Sequence, residues 1–243
     1  MKNIALVTGG EGGIGRAVNR SLNEAGYTVL SADVTVDPAE NGTRRDDMPS
    51  EVVRHYLDVT DPASCEAACA AAAELGTLKV VINCAGILVA SSVDDWDEGR
   101  VKRMFDINVF GMARVTSAAS RHMSDGGAIV NISSVSCRIP YVEFMALYGA
   151  TKAAMESYTR NCATDLAPKN IRVNSIAPGI IDVDMSDDMR RLAEAEHGPV
   201  NRIPMGRMGT ADEIADAIEF LVSDRASYIT GTNLLVDGGL CNY

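Results

Sequence analysis

The sequence predicts an α/β fold: a doubly wound parallel sheet of about seven strands with helices on both faces. Short apolar runs rich in β-branched residues alternate with helical patterns along all 243 residues. A glycine-rich turn joins the first apolar run to the first helical pattern, as in sheets that bind nucleotides. Because no linker divides the chain, we expect one catalytic domain over residues 1–243.

The alternation assigns each element in turn. The apolar runs predict strands over residues 4–7, 27–32, 52–57, 79–83, 128–132, 171–176 and 234–236. The helical patterns between them predict helices over residues 13–25, 61–75, 106–122, 147–166 and 211–223. Residues 36–50, rich in Pro, Gly and Asp, predict a surface connection. Residues 182–207 are long for a connection in a compact domain, which favours a substrate loop or lid over a solvated loop.

Composition excludes several classes of protein. The net charge of −11 disfavours a nucleic-acid or anionic-membrane surface, and no stretch approaches a membrane span. A strand begins directly at the N-terminus, which leaves no room for a signal peptide, so we expect a cytoplasmic protein. The six cysteines form no Cys-x-x-Cys pair and the three histidines are dispersed, so we expect reduced thiols and no metal site.

The turn after the first strand predicts a dinucleotide site of the Rossmann type. Gly10, Gly12 and Gly15 satisfy Gly-x-Gly-x-x-Gly, whereas Gly9, Gly13 and Gly15 satisfy Gly-x-x-x-Gly-x-Gly. Either register gives a tight turn whose bare backbone lets a pyrophosphate approach the N-terminus of the following helix. The strand before the glycines and the helix after them are the context that this motif requires.

A carboxylate at the end of the second predicted strand favours NAD over NADP. Asp33 lies eighteen residues after Gly15, where it would bind the adenosine ribose hydroxyls and repel a 2′-phosphate. The alternative is an aspartate that simply starts a turn. Glu11 adds a second negative charge to the loop, and Arg44 and Arg45 lie well beyond the strand end.

Tyr148 and Lys152 are four residues apart, so on a helix they lie on one face within reach of each other. An ammonium beside a phenol favours the phenolate and lowers its pKa from about 10 toward neutrality. Such a phenol can exchange a proton with an alcohol or a carbonyl. The pair also occurs on ordinary helices, but Ser134, fourteen positions upstream, ends a predicted strand where ligands bind in open sheets.

These motifs together resemble the short-chain dehydrogenase/reductase family over essentially the whole chain. Besides the glycine loop and Tyr-x-x-x-Lys, the segments that carry the resemblance are Asp58-Val59, Asn83-Cys84-Ala85-Gly86, Asn108-Val-Phe-Gly, Asn-Ile-Ser-Ser134, Asn174-Ser-Ile-Ala-Pro-Gly179, Ile229-Thr-Gly231 and Val236-Asp-Gly-Gly239.

The resemblance implies a role for each matching residue. Tyr148 would be the acid/base, Lys152 would lower its pKa and hold the nicotinamide ribose, Ser134 would bind the reacting oxygen, and Asn108 would keep a relay water. Cofactor binding is assigned to Gly9, Glu11, Gly13, Ile14, Gly15, Asp33, Asp58, Val59, Asn83, Tyr148, Lys152 and the backbone of Ile181.

The chain departs from the family pattern at three places. Cys84 replaces the usual second Asn, and Val183 stands where many relatives have a Thr that binds the nicotinamide carboxamide. The interval from Ser134 to Tyr148 is one residue longer than in several relatives, which a loop can absorb. Side chains placed near the substrate by chain position alone are Leu88, Tyr141, Met185 and Met189, whereas Arg138 and Trp96 are interpreted as a surface and a packing residue.

The sequence therefore predicts an NAD-dependent oxidoreductase that interconverts a small-molecule secondary alcohol and its ketone. A 3-oxoacyl carrier-protein reductase that uses NADPH is the alternative, and a non-catalytic dinucleotide sensor is a more remote one. The predicted helix with Tyr148 continues through apolar positions, and the resemblance implies a homotetramer or homodimer.

Overall fold

A computed structural model describes residues 2–44, 47–124, 126–140, 143–183 and 198–242. Its strands form one parallel sheet in the order β3-β2-β1-β4-β5-β6-β7, which confirms the predicted fold class. The strands are β1 (Asn3–Thr8), β2 (Thr28–Asp33), β3 (Val52–Tyr56), β4 (Thr77–Asn83), β5 (Gly127–Ile132), β6 (Ile171–Pro178) and β7 (Asn233–Val236).

Within the described residues, six α-helices connect the strands. They are α1 (Gly13–Glu24), α2 (Pro62–Leu75), α3 (Glu98–Phe105), α4 (Met112–His122), α5 (Ala146–Leu166) and α6 (Ala211–Val222). The prediction of one helix over residues 106–122 was wrong in its first turn, because Asp106–Gly111 is a π-helical turn between α3 and α4. Helix α3 begins just after Asp97, whose carboxylate accepts the Arg100 N–H at 2.9 Å.

Period-two alternation in the strands builds a separate core on each face of the sheet. Ile4 and Leu6 of β1 face α2, α4 and α5, whereas Ala5 and Val7 face α1 and α6. All four side chains are fully buried. Both faces of the sheet are therefore covered, as parallel sheets require.

The strand order reverses at β1, which has β2 on one side and β4 on the other. Ligands of open α/β sheets bind outside the carboxyl ends of the strands at such a point. A cavity of about 1040 Å³ opens there, lined by segments that follow β1, β2, β3 and β4 and by α3 and the π turn. The topology thus places the residues after these strands around one cavity.

The two segments predicted to be irregular are only partly described. Within residues 36–50 the structure shows turns and one short 3₁₀ helix, Pro38–Glu40. Most of the predicted lid, residues 184–197, lies outside the described residues, and so do Tyr141, Met185 and Met189. A membrane-spanning length of apolar helix is absent from the part of the chain that the structure describes.

Candidate active site

The loop after β1 needs glycine at two positions, because other backbone atoms lie too close to leave room for a side chain. Gly9 has a φ of 66°, and a Cβ there would lie 2.8 Å from Cα of Ala85. A Cβ on Gly15 would lie 2.1 Å from the carbonyl oxygen of Gly9. A side chain at position 9 would therefore force the loop away from the segment after β4, and a side chain at position 15 would force the turn itself open.

The N-terminus of α1 faces the cavity with its backbone donors uncovered by side chains. Gly12 is the N-cap residue and provides no side-chain cap, and the first turn carries no acidic residue. Gly12 and Gly13 both line the cavity. Uncapped N–H groups and the positive end of the helix dipole attract an anion. The residues present therefore fit a dinucleotide whose pyrophosphate approaches this helix end.

Asp33 lines the cavity at the end of β2 and also starts a turn. Its Oδ1 accepts hydrogen bonds from the backbone N–H and hydroxyl of Thr35, at 3.0 and 2.9 Å. Its Oδ2 accepts the backbone N–H of Glu11 at 3.2 Å. These bonds hold the carboxylate at the cavity wall.

Glu11 turns away from the cavity wall. Its Oε1 accepts the Ser31 hydroxyl at 3.1 Å and lies 3.8 Å from Nε of Arg54, whose guanidinium also pairs with Glu40 at 2.7 Å. The carboxylate thus ties the glycine loop to β2 and β3. Arg54 was not predicted from the sequence, because only the pairing of Ser31 with Arg54 across the sheet brings this residue to the loop.

Asp58 and Val59, for which the resemblance predicts cofactor binding, line the cavity after β3. The Asp58 carboxylate accepts the backbone N–H and hydroxyl of Thr60, both at 2.8 Å. A Cβ on Gly111 of the π turn would lie 2.7 Å from the Val59 side chain, so this glycine lets the π turn pack against the loop.

At the other end of the site, Ser134 follows β5 and begins the 3₁₀ turn Val135–Cys137. Its buried hydroxyl lies 3.1 Å from the Ser136 hydroxyl and accepts the Ser136 N–H at 3.2 Å. Ser133 points instead toward α5, where its hydroxyl donates to the Lys152 carbonyl at 3.3 Å. The alternation of the strand therefore separates the two serines.

Lys152 is buried beside Tyr148 on α5. Its Nζ lies 5.5 Å from the centre of the Tyr148 ring and donates to the Ile132 carbonyl at 2.7 Å. Burial lowers the pKa of the Lys152 ammonium to about 8. Tyr148 itself is half-buried. The helical spacing has placed the ammonium and the phenol ring together, as the sequence predicted.

Asn108 reaches the same place from the π turn. Its Oδ1 accepts the Ile87 N–H at 2.8 Å, and its Nδ2 donates to the Ile87 carbonyl at 2.9 Å and the Thr151 hydroxyl at 3.2 Å. A Cβ on Gly86 would lie 3.3 Å from Oδ1 of Asn108 and 3.7 Å from Nζ of Lys152. The side chain of Asn108 thus joins the segment after β4 to α5.

Asn83 and Cys84, at the end of β4, have separate environments. The buried Asn83 amide donates to the Thr116 hydroxyl at 3.1 Å and to Asn131 at 2.8 Å, behind the cavity. Cys84 lines the cavity, and burial raises the pKa of its thiol to about 11, which keeps it neutral. These bonds show that the Asn83 side chain supports β4, and its contact with the cofactor stays a prediction.

The cavity does not include every residue expected to bind the cofactor. Those that line it are Gly9, Gly13, Ile14, Gly15, Asp33, Asp58 and Val59, whereas Glu11, Asn83, Tyr148, Lys152 and Ile181 are not among its lining residues. Ile181 packs against the core on the α1 face, and Val183 lines the cavity. Leu88 and Trp96 are exposed, and Arg138 pairs with Glu156 at 3.6 Å.

Comparison with known proteins gives matches over nearly the full length. The family model described as enoyl-(acyl carrier protein) reductase matches residues 9–241. A trans-4-hydroxycyclohexanecarboxylate dehydrogenase of Sinomonas cyclohexanicum is 36% identical, over 98% of this chain and 92% of the relative. The 3-oxoacyl-[acyl-carrier-protein] reductase FabG of Thermotoga maritima is 33% identical, over 98% and 97%.

A solved structure titled ElxO with NADP bound has a TM-score of 0.88 and 28% identity, and the match covers 100% of both chains. The fold, the neighbouring Asn108, Tyr148 and Lys152 side chains, and these full-length relatives agree. The chain is an oxidoreductase that belongs to the short-chain dehydrogenase/reductase family.

Proposed function

We propose that this protein is an NAD-dependent dehydrogenase that interconverts a secondary alcohol and its ketone on a small or medium organic molecule. The observation that carries the proposal is the convergence of Asn108, Tyr148 and Lys152 beside a nucleotide-sized cavity with an uncapped helix N-terminus. Ser134 contributes a buried hydroxyl at the end of the neighbouring β5.

Each side chain has one task in this proposal. The chemistry that bound NAD supplies is transfer of a hydride to or from the substrate carbon. The Tyr148 hydroxyl moves the proton at the substrate oxygen, and Ser134 donates a hydrogen bond to that oxygen. The Lys152 ammonium stabilises negative charge on the Tyr148 oxygen. Asn108 fixes α5 against the segment after β4 and so orients Lys152.

The charges near the ribose end support NAD. Asp33 presents a fixed carboxylate at the cavity wall, where a 2′-phosphate would meet repulsion. The Arg54 guanidinium, close to the glycine loop, already pairs with Glu11 and Glu40. A 3-oxoacyl carrier-protein reductase that uses NADPH is the second candidate, favoured by the FabG relative and by the NADP in the ElxO structure.

We infer a cytoplasmic protein that forms a homotetramer or homodimer, as the family resemblance implies. Apolar residues of α5 such as Met155 and Cys162 are buried within the chain itself, so they do not argue for a partner. Light scattering during size-exclusion chromatography gives the assembly, and a monomer at micromolar concentration would contradict the inference.

The test compares the two cofactors in the wild type and in Asp33→Ala. We expect wild type to bind NAD more tightly than NADP, to form NADH with at least one of a panel of secondary alcohols, and to lose its preference in Asp33→Ala. The matched control is Asp37→Ala, which removes an exposed carboxylate that caps the short 3₁₀ turn. A wild-type preference for NADP would favour the reductase, and tight NAD binding without any turnover would favour the sensor.

A further inference from the structure

A buried carboxylate lies one helical turn beyond Lys152. Glu156 is only 9% exposed, and its spacing of four residues from Lys152 and eight from Tyr148 places all three on one face of α5. Burying a carboxylate is costly unless its oxygens are paired. Since Glu156 does not line the cavity, its partners indicate what it does.

The first partner of the Glu156 carboxylate is Cys137, in the turn that follows Ser134. The Sγ atom of Cys137 lies 2.7 Å from Oε1 of Glu156 and 2.8 Å from the Ser134 carbonyl. The backbone N–H of Cys137 donates to the same carbonyl at 3.2 Å. Burial raises the pKa of the Cys137 thiol to about 11, so the thiol keeps its single proton, which it donates to one of these two oxygens at a time while the sulfur contacts both. The carboxylate therefore reaches the backbone of Ser134 through one side chain.

Three further groups surround the carboxylate. The side-chain amide of Asn233, at the start of β7, donates to Oε1. Arg138 and Arg160 approach from the solvent side, at 3.6 and 3.9 Å. The carboxylate thus joins the turn after β5, the helix α5 and the strand β7.

We propose that Glu156 is a positioning residue that sets the distance between the Ser134 hydroxyl and the Tyr148–Lys152 pair. Ser134 stands on a short turn, whereas Tyr148 and Lys152 stand on a long helix. A second bond links the two elements: the Ser133 hydroxyl donates to the Lys152 carbonyl. That bond lies before Ser134 in the chain, whereas Glu156 holds the turn after Ser134. A displacement of about 1 Å between reacting groups can lower a rate by about 100-fold, so a fixed turn matters for the rate. The inference rests on the role of Ser134 in the proposed function.

A double-mutant cycle tests it. Glu156→Gln keeps the shape of the side chain but removes the charge, and we expect kcat to fall by about 10-fold or more while the Kd of NAD changes less than about 2-fold. In a Ser134→Ala background, Glu156→Gln should cause almost no further loss, because it acts through Ser134. Asp165→Asn, an exposed change on the same helix, is the matched control and should leave kcat unchanged.

The outcomes separate the two proposals. An equal loss from Glu156→Gln in both backgrounds, or no loss in the wild-type background, would overturn the positioning role. Full turnover in Ser134→Ala alone would overturn the role of Ser134, and with it the inference. If Glu156→Gln does not fold, Cys137→Val replaces it in the cycle. We then expect the same fall in kcat in the wild-type background and almost no further fall in the Ser134→Ala background.

Discussion

The two ends of the site are built from different parts of the polypeptide. Near β1 and α1 the backbone forms the surface, with Gly12 and Gly13 at an uncapped helix end. Near β5 and α5 the surface depends on side chains that buried hydrogen bonds hold in place, as for Lys152 on the Ile132 carbonyl. A surface of backbone atoms suits a cofactor, which is the same molecule in every reaction cycle. Side chains are needed at the other end, where a proton moves.

The comparison also shows where each end is vulnerable. A methyl group on Gly9 or Gly15 of the glycine loop meets backbone atoms that cannot move aside. At the catalytic end, a lost polar atom leaves its partner buried and unpaired, as in the network of Asn83, Thr116 and Asn131. The first kind of damage should remove cofactor binding, and the second should remove turnover or stability.

The largest effect is expected for Tyr148→Phe. Because general acid–base catalysis contributes about 10²- to 10⁴-fold, we expect kcat to fall by that factor with the Kd of NAD nearly unchanged. Steady-state rates and a cofactor titration measure the two quantities. Tyr158→Phe is the matched control, since Tyr158 lies on the same helix with its hydroxyl 3.5 Å from the Ala113 carbonyl. Near-normal turnover in Tyr148→Phe would refute the acid/base assignment.

Two alanine substitutions distinguish folding from binding at the backbone end. In Gly15→Ala the new Cβ would meet backbone at 2.1 Å, so we expect a loss of about 1–3 kcal/mol in the free energy of unfolding and no cofactor binding. In Gly12→Ala the nearest atom is 3.5 Å away, so stability should persist while the methyl group in the cavity weakens NAD binding. Urea unfolding and cofactor titration check both, and equal stability of the two variants would contradict the steric explanation.

The buried ammonium predicts a pH dependence of stability. The pKa of Lys152 is about 8 in the folded protein and 10.5 ordinarily, so between these values the unfolded chain binds more protons. The cost of burying the charge is complete below pH 8 and is relieved as the pH rises toward 10.5. Wild type should therefore gain stability relative to Lys152→Met over this range in urea unfolding. A difference between the two proteins that is independent of pH would show that Lys152 is not desolvated.

The smallest effect concerns the polar network behind the catalytic end. Thr116→Val removes the acceptor of one Asn83 hydrogen bond, so we expect about 1 kcal/mol of lost stability without a change in the Kd of NAD. Thr164→Val, at an exposed position of α5, should lose almost none. A marked loss of NAD affinity in Thr116→Val would mean that Asn83 serves the cofactor more directly than its contacts indicate.

Local patterns were enough to predict the backbone end and much of the catalytic end. The glycine loop is contiguous, and Tyr148 and Lys152 are related by helical spacing alone. The π turn that carries Asn108 was not predicted, because π turns are rare and periodicity alone assigns such a segment to an α-helix. The Arg54–Glu11 pair and the Cys137–Glu156 contact depend on sheet order and helix docking, which no spacing in the sequence encodes.

A crystal structure of the complex with NAD and a secondary alcohol tests most directly whether the site has a cofactor end near α1 and a catalytic end near α5. We expect the pyrophosphate at the N-terminus of α1 beside Gly12 and Gly13, and the substrate oxygen within hydrogen-bond distance of both Tyr148 and Ser134. A pyrophosphate bound away from α1, or a substrate oxygen that contacts neither hydroxyl, would contradict it.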